Sequence, residues 1–134
     1  VQVLVDSSVW IDYFQGGATP ETDHLHALIG RSPLVVADVV LTEVLHGLPD
    51  ELHRRQAREA LGGFWLIEMA GFGLAERAAV NYHTLRARGI PVRTAECRLA
   101  TFCLDQGLAL LHSAPGYEPF ERHLGLTVAR PSPG

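Results

Sequence analysis

Short apolar runs, each followed by a segment of helical character, constrain this chain more than any other feature. VLV at 3–5, PLVVA at 33–37, FWLIEM at 64–69, LALLH at 108–112 and LTVA at 126–129 read as strands with no polar alternation. Strands that apolar are covered on both faces, the condition met by a short, mostly parallel central sheet with helices on either side. The helices are legible between them. Ser7 is placed to cap a helix from about Ser8 to Phe14 that stops at Gly16-Gly17, and Thr19-Pro20 opens another toward Ile29. Asp38 can cap a helix carrying Glu43 to Gly47, and Pro49 begins PDELHRRQAREALGG. Further helices are predicted at about 74–88 and 95–106, with a short one near YEPFERHLG. The expectation is a single α/β domain over 1–128, followed by a disordered tail at 129–134.

A chain of 134 residues is long enough to bury a hydrophobic core without disulfide or metal staples. No apolar run approaches the ~18 residues of a membrane span. Cys97 and Cys103 supply no disulfide framework, and no basic-then-apolar leader opens the sequence, so a cytoplasmic, membrane-free protein is expected. The formal charge of −4 conceals a split: residues 54–98 carry eight Arg against four acids, and the remainder carries −8. A solvated face accounts for this, and so does a phosphate-facing patch beside an acidic site. The chain has no Lys. That excludes a P-loop and disfavours a phosphate-relay receiver domain. GFGLAE at 71–76 imitates a dinucleotide fingerprint, but Glu76 stands where its third Gly belongs.

Three acids remain. Asp6 stands at the C-terminal mouth of the first strand, where open α/β sheets gather ligands. Glu43 lies within VVLTEVLHGL, a stretch so apolar that the acid has no obvious solvent stripe, and Glu96 begins the helix after GIPVRTA. Taken singly they are a turn residue, a helix-surface residue and an N-terminal acid favoured by the helix dipole. Taken together they could converge. Carboxylates ~4 Å apart repel by about 4 kcal/mol per ionised pair at an effective dielectric near 20, so convergence requires a proton or a cation. An all-oxygen set with no Cys or His at ligand spacing favours Mg²⁺ or Mn²⁺ over zinc.

VLVDSSVWIDYF (3–14), LTEVLHGL (41–48), LRARGIPVRTAECRLATFCLDQGLALLH (85–112) and FERHLGLTV (120–128), in that order, resemble PIN domains. More narrowly they resemble VapC-type toxin ribonucleases of bacterial toxin–antitoxin pairs. The resemblance implies a Mg²⁺-dependent endoribonuclease in which Asp6, Glu43 and Glu96 are the catalytic and metal-holding acids and Ser8 steadies Asp6. It also implies a cognate VapB-type antitoxin, an RNA substrate and a homodimer. The antitoxin groove of the family falls near the first helix, where Val9, Trp10, Ile11, Tyr13 and Phe14 spread over about 200° of arc. Trp10, Tyr13 and Phe14 are therefore groove candidates, with deep burial the other explanation of so wide an arc.

Two departures from the family stand out. Its third acid is usually Asp, so Glu96 adds one methylene, a reach of roughly 1.5 Å. The family also tends to place a further Asp just past the strand matching LALLH, where this chain has Ala114 and Gly116. His112, Ser113 and Glu118 are the candidates to substitute for it, and Arg86, Arg88 and Arg93 are the expected RNA-phosphate contacts. Two functions stay open: an endoribonuclease toxin, and a catalytically weakened PIN-like module that chiefly binds antitoxin or RNA.

Overall fold

The computed structural model describes residues 1–69 and 71–130. Four apolar segments become strands: β1 (Val3–Val5), β2 (Leu34–Ala37), β3 (Trp65–Ile67) and β4 (Ala109–Leu111). All pair in parallel, in the order β3-β2-β1-β4, with Val3 opposite both Leu34 and Ala109. Every residue of β1, β2 and β4 is buried, which is why their sequences are unbroken runs of apolar side chains. β3 lies at the sheet edge. Its Trp65 and Leu66 are exposed, although the run resembles a buried strand in sequence.

The connections are helical. α1 (Ser7–Phe14), α2 (Pro20–Leu28), α3 (Asp38–Gly47) and α4 (Glu51–Leu61) pack in succession, α1 against α2 and α3, and α3 against α4. α5 (Phe72–Arg86) packs on α6 (Thr94–Gln106), and a 3₁₀ turn at Pro115–Tyr117 leads into α7 (Glu118–Leu124). Local sequence sets several boundaries. Thr19 caps α2 by accepting from the Thr22 N–H at 3.1 Å, while the Thr22 hydroxyl accepts from the Thr19 N–H at 2.8 Å, a reciprocal box with Pro20 at the first helical position.

Chain order carries β1, β2 and β3 outward in one direction, then returns to place β4 on the other side of β1. The direction reverses between β1 and β4. Such a reversal opens a crevice at the carboxyl ends of the two strands. The Asp6 N–H donates to the Leu111 carbonyl at 2.9 Å, fixing the residue after β1 beside the end of β4.

Several expectations need correction. α1 begins at Ser7, so its N-cap is Asp6 and not Ser7; the N-cap of α3 is Ala37, with Asp38 its first residue. LTVA is no strand. Val128 makes one isolated parallel bridge to Leu110, because Leu126 is held by Phe120 at the end of α7 and Arg130 is drawn to Glu121. Trp10, a groove candidate by resemblance, is 1% exposed, stacked on Phe14 and packed against Phe64. Burial takes the centre of the arc, and Tyr13 and Phe14 are left half-buried. Of the expected tail, Ala129 donates its N–H to Leu110 and Arg130 pairs with Glu121, whereas 131–134 lie outside the described residues.

Gly107 ends α6 in the left-handed region at φ 66°, turning the chain into β4. A Cβ there meets nothing within 4 Å, so Gly107→Ala is a purely conformational change. It is expected to cost about 1 kcal/mol in urea unfolding with an unchanged m-value. No shift in the urea midpoint would show that this turn is not strained by a side chain.

Candidate active site

Asp6 follows β1 directly and is 7% exposed. An N-cap aspartate ordinarily accepts from its own helix, but no side-chain capping bond forms here; the backbone carbonyl receives the N–H groups of Val9 and Trp10 instead. The carboxylate is left for other partners. Oδ2 accepts from the Ser8 hydroxyl at 3.1 Å and Oδ1 from the Tyr117 hydroxyl at 3.2 Å. The Ser8 and Ser113 hydroxyl oxygens are 3.2 Å apart, which joins the segments after β1 and β4.

Glu43, half-buried on α3, and Glu96, in the first turn of α6, line the same cleft of about 380 Å³ as Asp6, together with Tyr117, Arg98 and Thr94. Their electrostatics are linked. Burial pushes the Asp6 carboxyl above its ordinary range, against the opposing hydrogen bonds from Ser7, Ser8 and Tyr117. Glu43 is pushed up by burial and then by the charge of Asp6, with the Ser7 hydroxyl working the other way. Glu96 is raised by burial, relieved in part by the Arg93 guanidinium, whose Nε lies 3.9 Å away, and raised again by Asp6. The Tyr117 phenol is pushed well above its usual value by burial and by all three carboxylates, so it remains a neutral donor. Burial, with a smaller effect from Asp6, pushes the Cys103 thiol up to about 12, which removes it as a nucleophile.

The three acids surround one cleft without collapsing onto each other. Among the described residues, no three His, Cys, Asp or Glu side chains gather closely enough to hold a metal ion by themselves. The donor set nonetheless has the right chemistry for a hard divalent cation. Its donors are all carboxylate oxygens, each in surroundings that disfavour its ionised form, and Mg²⁺ commonly takes one or two carboxylates and keeps water for the rest.

The other sequence candidates fall around this cleft. Ser113 reaches Asp6 through Ser8, whereas the His112 ring packs tilted against Tyr117 and accepts from the Ala114 N–H; burial lowers the His112 pKa, with Asp6 opposing. His112, Ser113 and Glu118 line a separate cavity of about 460 Å³. Arg93 lines a cleft of about 400 Å³ on the other side of Glu96, with Ala114 and Gly116. Arg86 and Arg88 are exposed at the end of α5 and in the turn after it. Sequence reasoning missed Tyr117 and Arg98. An aromatic within the Pro- and Gly-bearing SAPGYE, immediately after a buried strand, is the one signal available for Tyr117; Arg98 had none beyond its nearness to Glu96.

Asp6→Asn removes the charge and keeps the shape. A carboxyl whose folded pKa exceeds its unfolded value binds more protons folded than unfolded, so its ionised form opposes folding. The variant is therefore expected to raise Tm near pH 7 by a few degrees, about 1 kcal/mol. The advantage should fade as pH falls through the raised pKa of Asp6 toward the ordinary carboxylate range. Thermal melts from about pH 4 to about pH 8 in chelator check this; a variant less stable than wild type near neutrality would contradict it.

No protein-family model matches the chain. Solved structures do. VapBC2 from Rickettsia felis, bound to a promoter DNA fragment, superposes with a TM-score of 0.76 at 10% identity, covering 96% of this chain and 98% of that one. A toxin–antitoxin complex from Klebsiella pneumoniae gives 0.69 at 19% identity, covering 94% and 96%. A sarcin–ricin loop cleaving VapC toxin of Mycobacterium tuberculosis gives 0.68 at 15% identity, covering 96% and 99%. Over nearly its whole length, the chain has the PIN-like fold of VapC toxins.

Proposed function

We propose that the protein is a Mg²⁺-dependent endoribonuclease toxin that cleaves RNA and is neutralised by a cognate VapB-type antitoxin. The observation that carries this reading is the set of three carboxylates, Asp6, Glu43 and Glu96, around one cleft at the chain reversal between β1 and β4, with the charge of Asp6 disfavouring ionisation of the other two. These acids would hold Mg²⁺, with Mn²⁺ an alternative. When bound, the ion would supply positive charge to polarise the scissile phosphate and activate water. The chain's own residues have distinct roles: Ser8 and Tyr117 fix the Asp6 oxygens from opposite directions, and the neutral phenol stabilises the ionised carboxylate. Arg93 and Arg98, at the rims of the clefts that Glu96 borders, would receive flanking phosphates, with Arg86 and Arg88 farther along the approach.

Structures similar to this chain include a toxin–antitoxin complex, which supports the antitoxin as a partner. Tyr13 and Phe14, half-buried beside Trp10, remain groove candidates for it. A homodimer acting in the cytoplasm completes the proposal. The second reading, a weakened module that chiefly binds antitoxin or RNA, draws support from the looseness of the acidic set and the lack of an acid at Ala114 and Gly116.

A mixed RNA pool distinguishes the two. Mg²⁺-dependent cleavage, abolished by chelator and reduced at least about 100-fold by Asp6→Asn, Glu43→Gln or Glu96→Gln, is the expected result. RNA binding without cleavage would establish the module instead. Neutralising Arg86, Arg88 and Arg93 together should reduce the log–log salt slope of RNA binding by about 2. An unaltered slope would remove those arginines from the interface.

A further inference from the structure

Gly116 stands in the 3₁₀ turn at Pro115–Tyr117. Its backbone does not demand glycine, because it is not among the glycines with positive φ. Space demands it. A Cβ built on Gly116 falls 2.4 Å and 2.5 Å from the two carboxylate oxygens of Glu96 and 2.7 Å from its carboxyl carbon. The acid on α6 lies where a side chain from the turn would begin.

We infer that Gly116 is a positioning residue for Glu96: the missing side chain admits the long acid over the turn and fixes where its carboxylate faces the clefts. The extra methylene and the glycine are then one feature. A shorter acid at 96 would fall back from the turn by roughly 1.5 Å, and a side chain at 116 would push the end of the long one aside. Glu96 borders the cleft of Asp6 on one side and that of Arg93 on the other, so this placement sets how much negative charge each receives. The anion that no residue supplies at Ala114 or Gly116 reaches the same ground from α6. His112, Ser113 and Glu118, which line a different cavity, need not supply it.

The functional half of this inference rests on the metal reading above; the steric half does not. Gly116→Ala, Glu96→Asp, their combination, and the exchange Glu96→Ala with Gly116→Asp separate the two. In chelator, Gly116→Ala should leave Tm within about 2 °C of wild type, because the atoms it meets are the far end of the flexible Glu96 side chain. With Mn²⁺ as the calorimetric probe, Gly116→Ala should weaken binding about tenfold or more, Glu96→Asp should absorb that loss, and the exchange should return affinity to within about threefold of wild type. Equal affinity losses from Gly116→Ala in both backgrounds, or an undisplaced Glu96 carboxylate in a crystal structure of Gly116→Ala, would overturn the pairing. A displaced carboxylate with no Mn²⁺ affinity in any variant would keep the pairing and defeat the metal reading.

Discussion

The site depends on a carboxylate buried at the seam between two parallel strands. Asp6 is fixed there by the ladder itself, through its N–H on Leu111, and its side chain is then held by hydroxyls from Ser8 and Tyr117, residues 2 and 111 positions away in sequence. A buried anion without a formal positive partner is among the least favourable groups a small domain can retain. Two neutral donors reduce that penalty without cancelling the charge. A guanidinium in their place would have neutralised the carboxylate and closed it to a cation. Hydroxyl donors leave Asp6 anchored yet electrostatically unsatisfied, which is the condition for binding a cation from solution.

The surrounding charges follow the same principle at lower cost. Glu43 and Glu96 are only partly buried, and each is disfavoured both by burial and by Asp6, so the cleft is a region of negative potential. Arg93 tempers this from the rim; its side chain is 89% exposed, so solvent screens it strongly. Positive charge therefore lies at the rim, and negative charge lies deeper. The split between the Arg-bearing 54–98 segment and the acidic remainder has a spatial counterpart here, because α6 brings Arg93 and Arg98 to the edges of a cleft that β1 and α3 furnish with acids.

What sequence revealed, and what it concealed, follows from the range of the forces involved. The parallel sheet was legible because covering a strand on both faces removes its polar positions, as in β1, β2 and β4. The edge position of β3 was not, since Trp65 and Leu66 are as apolar in sequence as a buried pair. Asp6 and Glu43 stood out as charges in apolar surroundings, a local property. Tyr117 did not, because its role arises from a contact 111 residues distant, and no periodicity encodes that. The cap of α1 was misplaced by one residue for a related reason. Serine and aspartate both cap helices, and only the tertiary demand on the Asp6 carboxylate shows why it caps through its backbone alone.

The 3₁₀ turn after β4 connects these observations. Pro115 restricts its backbone, Gly116 admits the Glu96 carboxylate, and Tyr117 reaches back to Asp6, so one short turn addresses two acids far apart in the sequence. The turn thus meets both acids. A side chain at 116 would push aside the flexible end of Glu96 and leave the Tyr117 hydroxyl on Asp6. Because α7 follows immediately and buries Phe120 in the core, the turn is clamped at both ends, by β4 before it and α7 after it. Rigidity at that point, more than the count of carboxylates, determines whether the cleft presents a defined set of oxygens to a cation.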